Sequence, residues 1–224
     1  MPIWLNFDSK KAVIARFKCG SSSTRMLTEI YGWKEYNFSM NSAVSLDDDY
    51  TMLKNTGTDL KKGWDVFFIA RDPVAYTLSG YRNFYAQYKN NYEYAKKVMD
   101  SILVNNYSFA DHVNIVSDVF LHSRMRRWMN YEIFLSHCVS IPINHWRPWM
   151  NLIKIEKDFA NLHSYVGIET PFPHINESDR DNIIIKFNDH TVNQLKSRWF
   201  YTANQWGYNL DESIEQLKDK YLNK

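Results

Sequence analysis

Twice in this chain an apolar run of strand length ends in a short polar turn and gives way to residues spaced for a helix. No other feature narrows the fold as much. Ala12-Val13-Ile14-Ala15-Arg16-Phe17 reads as a short buried strand. The small, polar stretch Gly20-Ser21-Ser22-Ser23-Thr24 follows, and Met26, Leu27, Ile30 and Tyr31 then recur at helical spacing. The serines are thus expected at a strand-to-helix turn, where one can cap the helix. Asp65-Val66-Phe67-Phe68-Ile69-Ala70 repeats the pattern. Asp72 can cap, Pro73 suits the first helical position, and Val74, Leu78, Tyr81, Tyr85 and Tyr88 share one face. Two strand–turn–helix units with short connections predict a parallel sheet covered by helices.

Past residue 90 the spacing is mainly helical. Ala95, Val98, Met99, Ile102 and Leu103 mark one helix, and Met125, Trp128, Met129 and Phe134 another that carries Arg124, Arg126 and Arg127. These three arginines cannot all converge on one site, because consecutive helical positions point apart. Val113 to Val116 reads as a strand, and Leu152-Ile153-Lys154-Ile155-Glu156 as a returning one, with Asp158 able to cap a helix through Leu162 and Val166. Asp211 to Leu222 is a capped amphipathic helix with Ile214, Leu217 and Tyr221 on its packing face.

Composition excludes several classes. At 224 residues and 45% hydrophobic, the chain can bury about 70% of its extended surface, enough for one substantial core. An aromatic content of 16% excludes wholesale disorder. No window reaches eighteen apolar residues, and Met1 to Asp8 lacks the basic start and apolar run of a signal peptide. Cys19 and Cys138 make neither a disulfide scaffold nor a metal cluster, which fits a reducing compartment. Asp47-Asp48-Asp49 lacks the glycine and distal glutamate of a calcium loop and reads as a solvated turn, or as the border of a cleft. A net charge of +2 is too small to imply nucleic acid, so any anion site must come from local arrangement.

Two local arrangements qualify. In Lys18-Cys19-Gly20-Ser21-Ser22-Ser23-Thr24-Arg25, backbone N–H groups at a helix start meet a dipole that favours an anion. Glycine permits close approach, serine hydroxyls donate to oxygens, and Lys18 supplies a movable positive charge. The order differs from the nucleotide-triphosphatase loop, whose lysine comes after its glycines and is followed by a magnesium-binding Ser/Thr. A serine-rich turn with a solvated lysine is the other reading of these residues alone. The second arrangement is Arg71-Asp72-Pro73, with Ser79 two helical turns on and Arg82 one turn beyond Ser79. An arginine fork suits a terminal phosphate and the serine adds a hydroxyl donor, although capping or carboxylate pairing accounts for Arg71 equally well.

Together these segments resemble the sulfotransferase superfamily, and particularly the Golgi-type carbohydrate sulfotransferases. Phe17 to Leu27 looks like the family's 5′-phosphosulfate loop. Arg71-Asp72-Pro73, Ser79 and Tyr81-Arg82 resemble its 3′-phosphate motif, with the same spacing of eight from arginine to serine. His145-Trp146-Arg147-Pro148, with Leu152 behind it, is similar to the His-Trp-x-Pro-Gln segment of the carbohydrate enzymes. Lys154-Ile155-Glu156-Lys157-Asp158 and Trp206-Gly207-Tyr208 also look family-like. The chain departs from the pattern in several places. Phe17 stands for proline, Ser22 and Ser23 for threonine and a polar residue, Arg25 for lysine, Trp149 for glutamine and Ile153 for cysteine. The Trp149 difference bears on the acceptor rather than the donor.

The resemblance implies an α/β fold: a P-loop-like three-layer sandwich with a mainly parallel central sheet flanked by helices, in a single domain over residues 1–224. It implies in-line transfer of the sulfuryl group of 3′-phosphoadenosine 5′-phosphosulfate (PAPS) to a hydroxyl of a saccharide or related small molecule. The product is then 3′,5′-ADP, and no metal is required. By similarity Lys18 sits near the bridging oxygen and neutralises the leaving side. Gly20, Ser21, Ser22, Ser23, Thr24 and Arg25 belong to the 5′-phosphate loop, and Arg71 and Ser79 bind the 3′-phosphate. His145 is either the general base or a loop-orienting histidine bonded to backbone, with Glu29, Glu35, Asp48, Glu132 and His112 as other candidate bases. Trp146 and Trp149 either stack on a sugar or pack their loop. The expected setting is bacterial or viral cytoplasm, with a small-molecule or saccharide acceptor and neither nucleic acid nor membrane as partner. An ATP-dependent small-molecule kinase and a catalytically inactive nucleotide-binding relative are the alternatives.

Overall fold

The computed structural model describes residues 2–16, 19–37, 52–53, 57–90, 108–110, 112–113, 146–173, 185 and 188–222, and all structural statements below concern these. The fold is mixed α/β. The chain divides into two compact units, Met1–Arg71 with His145–Asn176, and Asp72–Asn144 with Glu177–Lys224.

The first unit is built on a five-stranded sheet. Its strands are β1 (Pro2–Asn6), β2 (Lys11–Ala15), β3 (Lys34–Asn37), β6 (Asp65–Ala70) and β7 (Asn151–Lys154), in the order β3-β1-β2-β6-β7. A separate two-stranded ladder joins β4 (Met52–Leu53) to β5 (Thr58–Asp59). The expected runs at Ala12 and Asp65 are both strands, and they pair in parallel with Ala12 opposite Val66 and Ile14 opposite Phe68. β7 extends the parallel set, Ile69 facing Ile153 and Ala70 facing Lys154. On the other side β1 is antiparallel to both β2 and β3. The sheet is therefore mixed rather than mainly parallel.

The cause is a local hairpin. The Asn6 side chain accepts from the N–H groups of Asp8 (3.1 Å) and Ser9 (3.0 Å), an Asx turn that folds β1 back onto β2. Both faces of the inner strands are buried, with Trp4, Val13 and Phe67 on one and Ile3, Ile14 and Phe68 on the other. This double burial explains why the strands read as continuous apolar runs. On the Trp4 face, helix α1 (Ser21–Ile30) packs near β1 and β3, and Tyr165 of the short helix α3 (Leu162–Val166) stacks on Phe67. A 3₁₀ turn, Phe159–Asn161, leads into α3. Asp158 does not cap it; its carboxylate instead accepts from Lys154 N–H at 3.0 Å.

Helices α2 (Pro73–Asn90), α4 (Asp189–Trp206) and α5 (Leu210–Leu222) belong to the second unit and pack on one another. Asp72 caps α2 as expected, accepting from Ala75 N–H at 2.8 Å, and its other carboxylate oxygen accepts from the Ser213 hydroxyl of α5. Val74, Leu78 and Tyr81 form the predicted apolar face, while the side chains of Tyr85 and Tyr88 lie outside the described set. The fully buried Trp199 of α4 donates its indole N–H to Thr77 Oγ1 at 3.0 Å. Asn188 caps α4 and Gly207 ends it in a left-handed conformation. The cap of α5 is Asn209, whose side chain accepts from Asp211 and Glu212. Val113, expected in a strand, is helical together with His112. Among the described residues no helix is long and apolar enough to cross a membrane.

Candidate functional site

Strands β2, β6 and β7 release the chain at one edge of the sheet. Arg16 follows β2, Arg71 follows β6, and Ile155-Glu156 follow β7. The connections out of β2 and β6 lead to opposite sides, because β3 lies beyond β1 and β7 beyond β6. Open α/β sheets hold ligands outside the carboxyl ends of their strands where the chain direction divides in this way.

Helix α1 starts close to that edge. Cys19 N–H donates to the Arg16 carbonyl at 3.0 Å, and Gly20 occupies the N-cap position with φ 73° and ψ 14°. A serine cap was the expectation, yet the serines lie inside the first turn and no side chain caps the helix. The reason is steric. A Cβ on Gly20 would stand 2.8 Å from Cε2 and Cζ of Phe159 and 3.5 Å from Cδ1 of Ile155. Both the left-handed backbone and the aromatic contact call for glycine here.

The hydroxyls behind it divide by exposure. Thr24 is fully buried and its Oγ1 donates to the Gly20 carbonyl at 3.0 Å; Ser23 is also buried. Ser21 is half-buried and Ser22 exposed at the helix start.

The electrostatics of the edge register on Cys19. Burial pushes its thiol up to about 12, while the guanidinium groups of Arg16 and Arg71 pull it down and the Glu156 carboxylate pushes it further up. A thiol so placed is no nucleophile at neutral pH. It does mark a buried point with two cations and one anion close by. Arg16 was read only as part of an apolar strand. A charged residue inside such a run was the available signal, because arginine is rarely buried without a purpose.

Other predicted residues are distributed differently. Arg25 forms a bidentate pair with Glu35, both contacts at 2.7 Å, and the Trp4 indole donates to the same carboxylate at 3.1 Å. This interaction raises the Arg25 pKa and occupies Glu35, one of the candidate bases. Glu29 is exposed on α1. His112 is buried in the second unit beside Tyr81, and burial, aided by Arg198, lowers its pKa to about 3. Ser79 is half-buried on α2 in that unit. Trp146, Arg147, Pro148 and Trp149 enter β7 at its amino end, opposite the edge that carries Arg16 and Arg71. The Trp146 indole donates to the Met150 carbonyl at 3.1 Å, and Met150 N–H to the Arg147 carbonyl at 2.9 Å, so Trp146 organises its own turn. Phe17, Lys18, Asp48, Glu132, His145 and Arg124, Arg126 and Arg127 lie outside the described residues. Among the described residues, no group of three or more His, Cys, Asp or Glu side chains is placed to hold a metal ion.

Comparison of the chain with family models, curated proteins and solved structures finds no match.

Proposed function

We propose that this chain is a PAPS-dependent sulfotransferase with a P-loop-like three-layer fold, transferring the sulfuryl group to a hydroxyl of a saccharide or related small molecule. The reading rests on one juxtaposition. A parallel strand, a glycine held in the left-handed region and a serine-bearing helix start stand next to a second parallel strand that ends in Arg71. Gly20 carries no side chain at the helix start, and Ser21 and Ser22 are residue types that donate to a phosphate. In this reading Lys18 neutralises the leaving phosphate and Arg71 holds the 3′-phosphate. The acceptor gives its proton to a base as its oxygen bonds sulfur and the sulfur–oxygen bond to the donor phosphate breaks.

Calorimetric titration with 3′,5′-ADP, with 5′-AMP as control and no added magnesium, tests the donor half. The expected result is a clear preference for the 3′-phosphorylated nucleotide that Arg71→Ala abolishes. Equal binding of the two nucleotides, or none, removes the assignment.

A further inference from the structure

The turn after β7 touches both segments on which the reading above depends. Ile155 N–H donates to the Ala70 carbonyl at 2.9 Å, which carries the β6–β7 ladder one residue past the Ala70–Lys154 pair. This fastens the turn to the last residue of β6, next to Arg71. The same turn reaches across β6, which lies between β2 and β7, to the start of α1. There the Phe159 ring and Ile155 Cδ1 lie against Gly20, closely enough that a Cβ on the glycine would meet them at 2.8 and 3.5 Å. The turn is stiff. The Lys154 carbonyl accepts from Lys157 N–H at 3.1 Å and Asp158 N–H at 2.7 Å, and the Asp158 carboxylate accepts from Lys154 N–H. The Phe159 ring is 5% exposed and backed by Phe172, so it has little room to retreat from the glycine.

We infer that Phe159 is a positioning residue that sets how far the start of α1 stands from the end of β6. It acts through Gly20 rather than on the ligand. Ile155 supplies the other half of the spacer, its N–H held by β6 and its side chain against Gly20. The inference rests on the sulfotransferase reading, in which the helix start takes the 5′-phosphate and Arg71 the 3′-phosphate. A nucleotide with both phosphates must span that separation, whereas one with a single phosphate can follow a displaced helix start. Rigid spacing therefore favours the doubly phosphorylated nucleotide, because binding at one end presents the other phosphate already in place.

The test is calorimetric titration of wild type, Phe159→Leu, Phe159→Ala and Gly32→Ala with 3′,5′-ADP and 5′-AMP, at a temperature where circular dichroism shows each protein folded. Phe159→Leu keeps an apolar side chain but withdraws the ring from Gly20, and it covers the case in which Phe159→Ala does not fold. The inference expects Phe159→Leu to lower the ratio of 3′,5′-ADP to 5′-AMP affinity about fivefold, most of the loss falling on 3′,5′-ADP. Phe159→Ala, when folded, lowers it further. Gly32→Ala, just past the far end of α1, is destabilised through its backbone and keeps the wild-type ratio. This control separates positioning from stability, since a loss of stability alone leaves the ratio of the folded protein unchanged. An unchanged ratio in Phe159→Leu, beside a clear preference in wild type, overturns the inference and leaves the donor reading standing. An equal drop in Gly32→Ala also overturns it. If wild type has no preference for 3′,5′-ADP, the donor reading falls and takes this inference with it.

Discussion

Replacing Gly20 with alanine separates two costs that the structure assigns to one position. The first is conformational, since an L-residue held near φ 73° pays about 1–2 kcal/mol. The second is steric. The new Cβ would lie 2.8 Å from the Phe159 ring, which must move. That ring is not free to swing, being 5% exposed and packed on Phe172 with centroids 5.4 Å apart. Overpacking of this kind costs about 1–3 kcal/mol, so the total is about 2–5 kcal/mol. Gly32 supplies the control, because it has φ 72° and nothing within 4 Å of its would-be Cβ. Gly32→Ala therefore pays the conformational part alone. Urea unfolding followed by fluorescence and circular dichroism should move the midpoint roughly 1–2 M lower for Gly20→Ala, and less than half as far for Gly32→Ala. Phe159→Leu should shrink the gap between the two in a double-mutant cycle. Equal losses at Gly20 and Gly32 would refute the argument that the aromatic contact shapes this turn.

Three further outcomes follow from the packing. The folded-state pKa of His112 lies near 3, below its ordinary 6.5, so between those values the unfolded chain binds the extra proton. Stability is then complete above that window and falls with acidification by about 1.4 kcal/mol per pH unit inside it. Urea midpoints taken from pH 7 to 4.5 should decline more steeply for wild type than for His112→Gln, and parallel declines contradict this. Ser213→Ala removes a donor to the Asp72 carboxylate, which is 9% exposed, and should lower stability by about 1.5–3 kcal/mol, with Ser213→Thr recovering much of it. A loss within experimental error of zero would show that the contact contributes nothing. In a Cys138→Ser background, Cys19 should resist a thiol reagent at pH 8 until denaturant is added, given its burial and a pKa near 12. Prompt labelling of the native protein counts against the buried placement.

Several elements were legible because local chemistry and tertiary burial agree. Asp65–Ala70 is a strand with the predicted boundaries, and Asp72 and Pro73 open α2 where capping rules place them. The C-terminal helix is also where its periodicity indicates. Other elements were hidden for identifiable reasons. β3, Lys34-Glu35-Tyr36-Asn37, is an edge strand whose polar composition carries no strand pattern, and it gains its place by pairing with β1. β1 itself depends on an Asx turn at Asn6 that only matters once β2 is there to receive it. The candidate site divides in the same way. Gly20, Ser21 and Ser22 at a helix start and Arg71 after a strand were legible as local placements. Arg25 and Glu35 looked available to chemistry, but they hold each other and Trp4.

By itself the sequence determined that β2, β6 and β7 are strands of a buried sheet, which turns follow β2 and β6, and which small and cationic residues those turns carry. Periodicity, capping and glycine placement act over a few residues, so they are written locally. Only the tertiary structure decided that the sheet is mixed, that Phe159 presses on Gly20, and that Arg16 and Arg71 end adjacent strands around a buried thiol. Strand order and register are settled by contacts between residues far apart in the chain, and those contacts determine which charges become neighbours.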